Sequence, residues 1–266
     1  MSENQTIDRQ TKSSSDDGEL EVRIADARKL VEGVIGKHKE FFADPDNRLE
    51  FLASQSPEGF LNMAGWVNAK LRGEKWKEIR DRDEKGGFLP LLHTPAHEDK
   101  PEAFQKGYQE IQEYIRTSTD SAEQKIEGVA MAAEALVIWV HPFNDGNGRT
   151  ARFMGKLIED GATDIDDLIA ETVAGNARNK AYKTMYPTKE SMLASADNTE
   201  LLFDDDERED MRKKAETLPS NVEGIAMSVR LLLESHDVRQ RTLQRAAKHA
   251  DLATRVKQKI AGKAAS

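Results

Sequence analysis

The residues best equipped for chemistry form one run, His141-Pro142-Phe143-Asn144-Asp145-Gly146-Asn147-Gly148-Arg149-Thr150-Ala151-Arg152. Gly146 and Gly148 allow backbone conformations that side chains would block. Successive N–H groups can then turn inward as a nest beside the positive end of a following helix. Asn147 adds an amide donor. Arg149 and Arg152 are spaced to lie on one side of a first helical turn. Their guanidinium forks match the oxygens of a polyphosphate. Asp145 would repel phosphate unless a cation stood between them, which implies Mg²⁺. His141, across the loop, is the available general base. Together these parts describe phosphate-centred transfer from a metal-bound nucleotide. The run is not a Walker loop, because Gly-x-x-x-x-Gly-Lys-Ser/Thr does not occur. Nor is it a protein-kinase glycine loop, because His and Asp flank the turn and no strand precedes it.

The same run closely resembles the signature of Fic-domain proteins, His-x-Phe-x-(Asp/Glu)-Gly-Asn-Gly-Arg-x-x-Arg, and every specified position is met. The resemblance implies an all-α Fic fold, a helical bundle around a central helix, motif loop and helix, with a small β-hairpin flap. It also implies protein adenylyltransfer, in which His141 deprotonates a Ser, Thr or Tyr hydroxyl of a target protein. That hydroxyl attacks the α-phosphate of ATP and displaces pyrophosphate. By the same resemblance Asp145 holds Mg²⁺, and Gly146, Asn147 and Gly148 form the nest. Arg149 then reaches the β- and γ-phosphates, Arg152 the γ-phosphate, and Phe143 anchors the loop in the core. The second motif glycine, Gly148, favours AMP transfer over the phosphate transfer of relatives that bind ATP reversed. Removal of AMP, or use of another nucleotide, is the alternative within the same chemistry.

More distant features of the family map less closely. The helix around Asn179–Met185 resembles the one that borders the adenosine pocket, with Tyr182 on the base or ribose. An ordinary half-buried tyrosine is the competing reading. The flap falls near Lys75–His97, where Phe88–Leu92 would offer an edge to the target's backbone. Pro90 interrupts any ladder there. Many Fic proteins are silenced by Ser/Thr-x-x-x-Glu-Gly/Asn, and Ser54-Gln55-Ser56-Pro57-Glu58-Gly59 fits the letters. Glu58 is therefore a possible inhibitory residue, although Ser56-Pro57-Glu58 reads better as a helix start. Ser220-Asn221-Val222-Glu223-Gly224 is one residue too short. A separate antitoxin-like chain is the other source of an inhibitory glutamate.

These groups must be held by helices. Ser121–Val140 is the most apolar stretch, with Ile126, Val129, Ala130, Ala133, Leu136, Val137 and Val140 on one side. Its final turns are apolar all round, as in a helix entering a core, and it runs straight into His141. A second helix is predicted from about Arg149 to Ile158, ending before Gly161. Others are predicted from Ser56-Pro57 onward, from Pro101, and around 164–173, 180–185 and 225–233. The organisation expected is a disordered tail (1–18), a helical extension (19–55), a Fic core (56–187), a further helical extension (188–238) and a basic tail (239–266).

Lys plus Arg number 39 and Asp plus Glu 48 among 266 residues, a net charge of −9, with no cysteine. Thiolate zinc sites, disulfides and a cysteine nucleophile are thereby excluded. His97-Glu98 lacks a second histidine at zincin spacing. No apolar run reaches the roughly 20 residues of a membrane span. The amino terminus also lacks the apolar core of a secretory signal. A cytoplasmic protein is expected, with delivery to another cell as an effector left open. Residues 239–266 carry a net +7. Such a tail could bind nucleic acid or an acidic partner, although a solvated helix end is the simpler reading. A catalytically silent scaffold acting through that tail is the competing class of function.

Overall fold

A computed structural model describes residues 44–72, 88–89, 92–143, 145–161 and 205–247, with isolated positions elsewhere. The expected disordered tail, most of the helix predicted from residue 19, most of the flap, the helices at 164–173 and 180–185, and the tail beyond 247 lie outside these residues. The described part is an all-α bundle. Its helices are α1 (Pro45–Ser54), α2 (Pro57–Leu71), α3 (Lys100–Thr117), α4 (Ala122–Val140), α5 (Asn147–Asp160), α6 (Asp205–Ala215), α7 (Asn221–Glu234) and α8 (His236–Ala247).

Helix starts follow local chemistry. Asp44 caps α1 by accepting the Asp46 N–H at 2.9 Å, with Pro45 in the first turn. Ser56 caps α2 by accepting the Gly59 N–H at 3.0 Å, again with proline in the first turn. Ser121 and Gln124 form a reciprocal capping box at the start of α4. Asp205, in the acidic run at 204–207 that reads as a loop or a helix start, opens α6.

The centre of the bundle is α4. Every residue from Gly128 to Val140 is buried. It packs against α5, α7 and α3, while α2 packs on α5 and α3. The contact of α4 with α5 is close at Gly155. A Cβ there would lie 3.0 Å from Glu134 Cβ and 3.3 Å from the Ala130 carbonyl.

The corner between α1 and α2 is fixed from α3. Tyr108 donates its hydroxyl to the Leu52 carbonyl at 2.7 Å. One helical turn later Gln112 donates to the Ala53 and Gln55 carbonyls at 3.0 and 2.8 Å. These side chains satisfy the carbonyls that the end of α1 leaves without an intrahelical donor. The Tyr108 ring stacks on Phe60 with centroids 4.7 Å apart.

Between α2 and α3, β1 (Phe88–Leu89) pairs antiparallel with β2 (Leu92–His93), Phe88 opposite His93 and Leu89 opposite Leu92. Pro90 and Leu91, which join the two strands in sequence, lie outside the described residues.

The basic tail predicted to begin at 239 starts inside α8. Arg239 is 4 % exposed and donates to the Leu232 and Leu233 carbonyls at 2.9 and 2.6 Å. Instead of solvating a tail, this guanidinium caps the carboxyl end of α7, where a cation complements the helix dipole. Arg241 pairs with Asp237 one turn back. No helix among the described residues is long and apolar enough to cross a membrane.

Candidate active site

The motif loop joins the buried end of α4 to the start of α5. His141 ends α4 in the left-handed region, φ 52° and ψ 57°, and is the described non-glycine residue with positive φ. That conformation costs a side-chain-bearing residue about 1–2 kcal/mol. It turns the chain off the helix axis and leaves the imidazole half-buried at the loop's edge. Strain of this kind gathers where geometry serves function.

Asn147 braces the loop from below. Its Oδ1 accepts the Phe143 N–H at 2.9 Å and its Nδ2 donates to the Phe143 carbonyl. Asn147 is 2 % exposed and Phe143 6 %. The expected amide donor for phosphate is therefore committed to the loop, which leaves Asn147 its backbone N–H for a ligand. Phe143 lies in the core, as the anchor role requires.

Gly146 caps α5 with φ 80°, a left-handed value. A Cβ at this position would also lie 2.8 Å from Asn68 Nδ2. Backbone conformation and close approach both demand glycine here. Asn68, buried on α2, donates to the Asp145 carbonyl at 2.8 Å and to Thr150 Oγ1 at 3.0 Å. One amide thus ties the loop to the first turn of α5.

The start of α5 is poorly made for stability and well made for an anion. No side chain caps it and no acid stands in its first turn. Among the described residues nothing accepts the backbone N–H groups of Asn147, Gly148 and Arg149, while the Thr150 N–H reaches the Gly146 carbonyl at 2.9 Å. Arg149 adds positive charge at the positive helix end, where the dipole disfavours it. It donates to the Leu71 carbonyl at 3.3 Å and lies 3.9 Å from Asp145 Oδ2. Arg152, on the same side of α5, is 5 % exposed. Such a conflict between helix stability and charge is what an anion site requires.

Asp145 is well exposed, at 71 % of its side chain, and its Oδ1 accepts the Gly146 N–H at 2.7 Å. No cluster of three or more metal-ligating side chains exists among the described residues. A single exposed carboxylate fits Mg²⁺ held jointly with phosphates, the usual manner of that ion.

Two candidate residues lie outside the motif run. Tyr182 is fully buried. Its hydroxyl lies 3.4 Å from Glu134 Oε2, its carbonyl accepts the Trp139 indole N–H at 3.1 Å, and its ring meets Trp139 edge-on. The side chain belongs to the core cluster, the packing that the competing reading describes. Glu58 is exposed in the first turn of α2. Ser54 belongs to α1, so the serine and glutamate of the inhibitory pattern stand on different helices. The loop is held by Asn68, about 15 Å further along α2 at the helical rise per residue. Glu58 thus serves the helix start and is remote from the loop.

Asn68 has no local signature in the sequence. A single amide on the buried face of α2 is visible as a ligand of the loop only once the fold brings α2 to α5.

Residues 61–158 match the family model described as the Fic/DOC family. The matched span runs from within α2 to the last turn of α5 and contains the whole motif. No curated protein and no solved structure matches the chain.

Proposed function

The chain is a Fic-domain protein, its residues 61–158 matching the Fic/DOC family, and from that premise we propose that it transfers AMP from Mg-ATP to a hydroxyl of a target protein. The Fic family usually transfers nucleotide or phosphate groups to proteins. The observation that carries the finer reading is the juxtaposition of His141, turned out at the end of α4, with the uncapped amino end of α5.

In this reading the phosphates of ATP rest on the N–H groups of Asn147, Gly148 and Arg149. Arg149 and Arg152 supply charge along the phosphate chain. Asp145 would hold Mg²⁺, which when bound neutralises phosphate charge. His141 removes the proton from the incoming Ser, Thr or Tyr hydroxyl. A bond forms from that oxygen to the α-phosphorus, and the bond from the α-phosphorus to the bridging oxygen breaks. Pyrophosphate leaves with the electron pair. General-base assistance contributes about 10²–10⁴ in rate, and positioning and charge stabilisation the remainder. We place the target's backbone beside the short pair at 88–93, as an added strand.

Parallel incubation with α- and γ-labelled ATP tests the reading. Wild type should incorporate label from the α position, and His141→Ala should lose about 10²–10⁴ of that rate. Label arriving from the γ position alone would reject AMP transfer.

A further inference from the structure

Arg72, the residue that caps the carboxyl end of α2, lays another arginine side chain against the motif loop. Built on Gly146, a Cβ would lie 3.5 Å from Arg72 Cδ and 3.7 Å from Arg72 Cγ. The stem of Arg72 therefore crosses the residue that caps α5, and its charged end follows directly after Cδ. Arg72 is half-buried. Its position is fixed from below, because its backbone N–H is held by carbonyls of the last turn of α2. Its neighbours already serve the loop. Asn68, one turn earlier and on the same face, binds the Asp145 carbonyl, and the Leu71 carbonyl receives Arg149.

A cation at this point meets the carboxyl end of its own helix favourably. The Arg72 stem also lies against Gly146, the residue that caps α5. Arg149 reaches the same place from α5. The end of α2 and the start of α5 thus meet at Gly146, with an arginine side chain arriving from each helix.

We propose that Arg72 is a third phosphate-binding arginine, reaching the phosphate chain of Mg-ATP from α2. The proposal rests on the reading of the α5 amino end as a phosphate site. It assigns a ligand contact to a residue outside the signature run. The competing role is packing, in which only the stem matters, as a cover over Gly146.

Calorimetric titration of the full chain with Mg-ATP separates these roles. Arg72→Met keeps an apolar stem and removes the charge. Arg72→Lys keeps the charge without the fork. Arg149→Met serves as the control for the phosphate site itself, and thermal melts of each variant report the fold. Arg72→Met should weaken Mg-ATP binding about 10- to 100-fold, as loss of a charged hydrogen bond does, at an unchanged melting temperature without ligand. Arg72→Lys should fall between it and wild type. If Arg149→Met weakens binding while Arg72→Met binds within twofold of wild type, the phosphate site stands and Arg72 is only a cover. If Arg72→Lys is as weak as Arg72→Met and both melt lower, Arg72 supports the loop and the proposal fails. If wild type does not bind Mg-ATP, the phosphate-site reading fails first, and the proposal with it.

Discussion

Asn68 holds both ends of the motif loop with one amide, so its removal should be felt in stability and in catalysis. Asn68→Ala leaves the Asp145 carbonyl and the buried Thr150 hydroxyl without their donor. Orphaning groups of this kind costs about 1–3 kcal/mol, which urea unfolding would read. The same variant should slow transfer of α-label, because Asp145 and Gly146 lose the tether that sets their height over α5. A variant as stable and as fast as wild type would remove Asn68 from the site. The signature residues were legible because their chemistry is contiguous and of unusual composition. Asn68 was not, because its hydrogen-bond partner Asp145 stands 77 positions away in the sequence. Tyr182 is open to two readings for the converse reason. A tyrosine's type is equally suited to a ligand pocket or a core, and only burial decides between them.

The turn between α3 and α4 sets where α4 begins, and one side-chain bond spans it. Tyr114 donates its hydroxyl to Asp120 Oδ2 at 2.6 Å. That bond, first among the causes, holds the Asp120 carboxyl below its usual range. Burial, and then the same bond, pushes the Tyr114 hydroxyl up to about 12. A depressed carboxylate contributes stability above its unfolded value, near 4, and loses it as pH falls through the lower folded value. A raised phenol contributes below its unfolded value, near 10, and loses it as pH rises towards the folded one. The stability difference between wild type and Tyr114→Phe should thus be level from about pH 5 to 9 and shrink on both sides. Urea unfolding across that range would show it, and a difference constant down to pH 3 would exclude the coupling. At this scale the prolines and capping serines were good guides, since Ser56-Pro57 and Ser121 mark true starts. Asp44-Pro45 is a start signal of the same kind. It separates α1 as its own helix within the span read as one extension from residue 19 to 55.

The bundle is larger than the span its family match covers. Helix α7 lies well beyond residue 158, yet it buries Ile225, Val229, Leu232 and Leu233 against α3 and α4. Arg230 grips Glu110 of α3 through two bonds of 2.7 and 2.6 Å. Each large apolar side chain so buried contributes about 1.5–3 kcal/mol. Four of them are comparable with the whole stability of an ordinary domain, about 5–15 kcal/mol. Ending the chain after Ala215 should therefore abolish the cooperative melt, whereas ending it after Ala247 should preserve it. Calorimetry of both truncations checks this, and a sharp melt in the shorter one would make α7 dispensable. Helical periodicity announced an apolar face on α7 but could not say which helices receive it, because that is a property of the packed core. The brace between Asn147 and Phe143 has a consequence for the time course of binding. A loop clamped by its own side chain has no folding step to complete when nucleotide arrives. In rapid mixing the observed association rate should climb in a straight line with ATP concentration, as a single phase that never reaches a plateau.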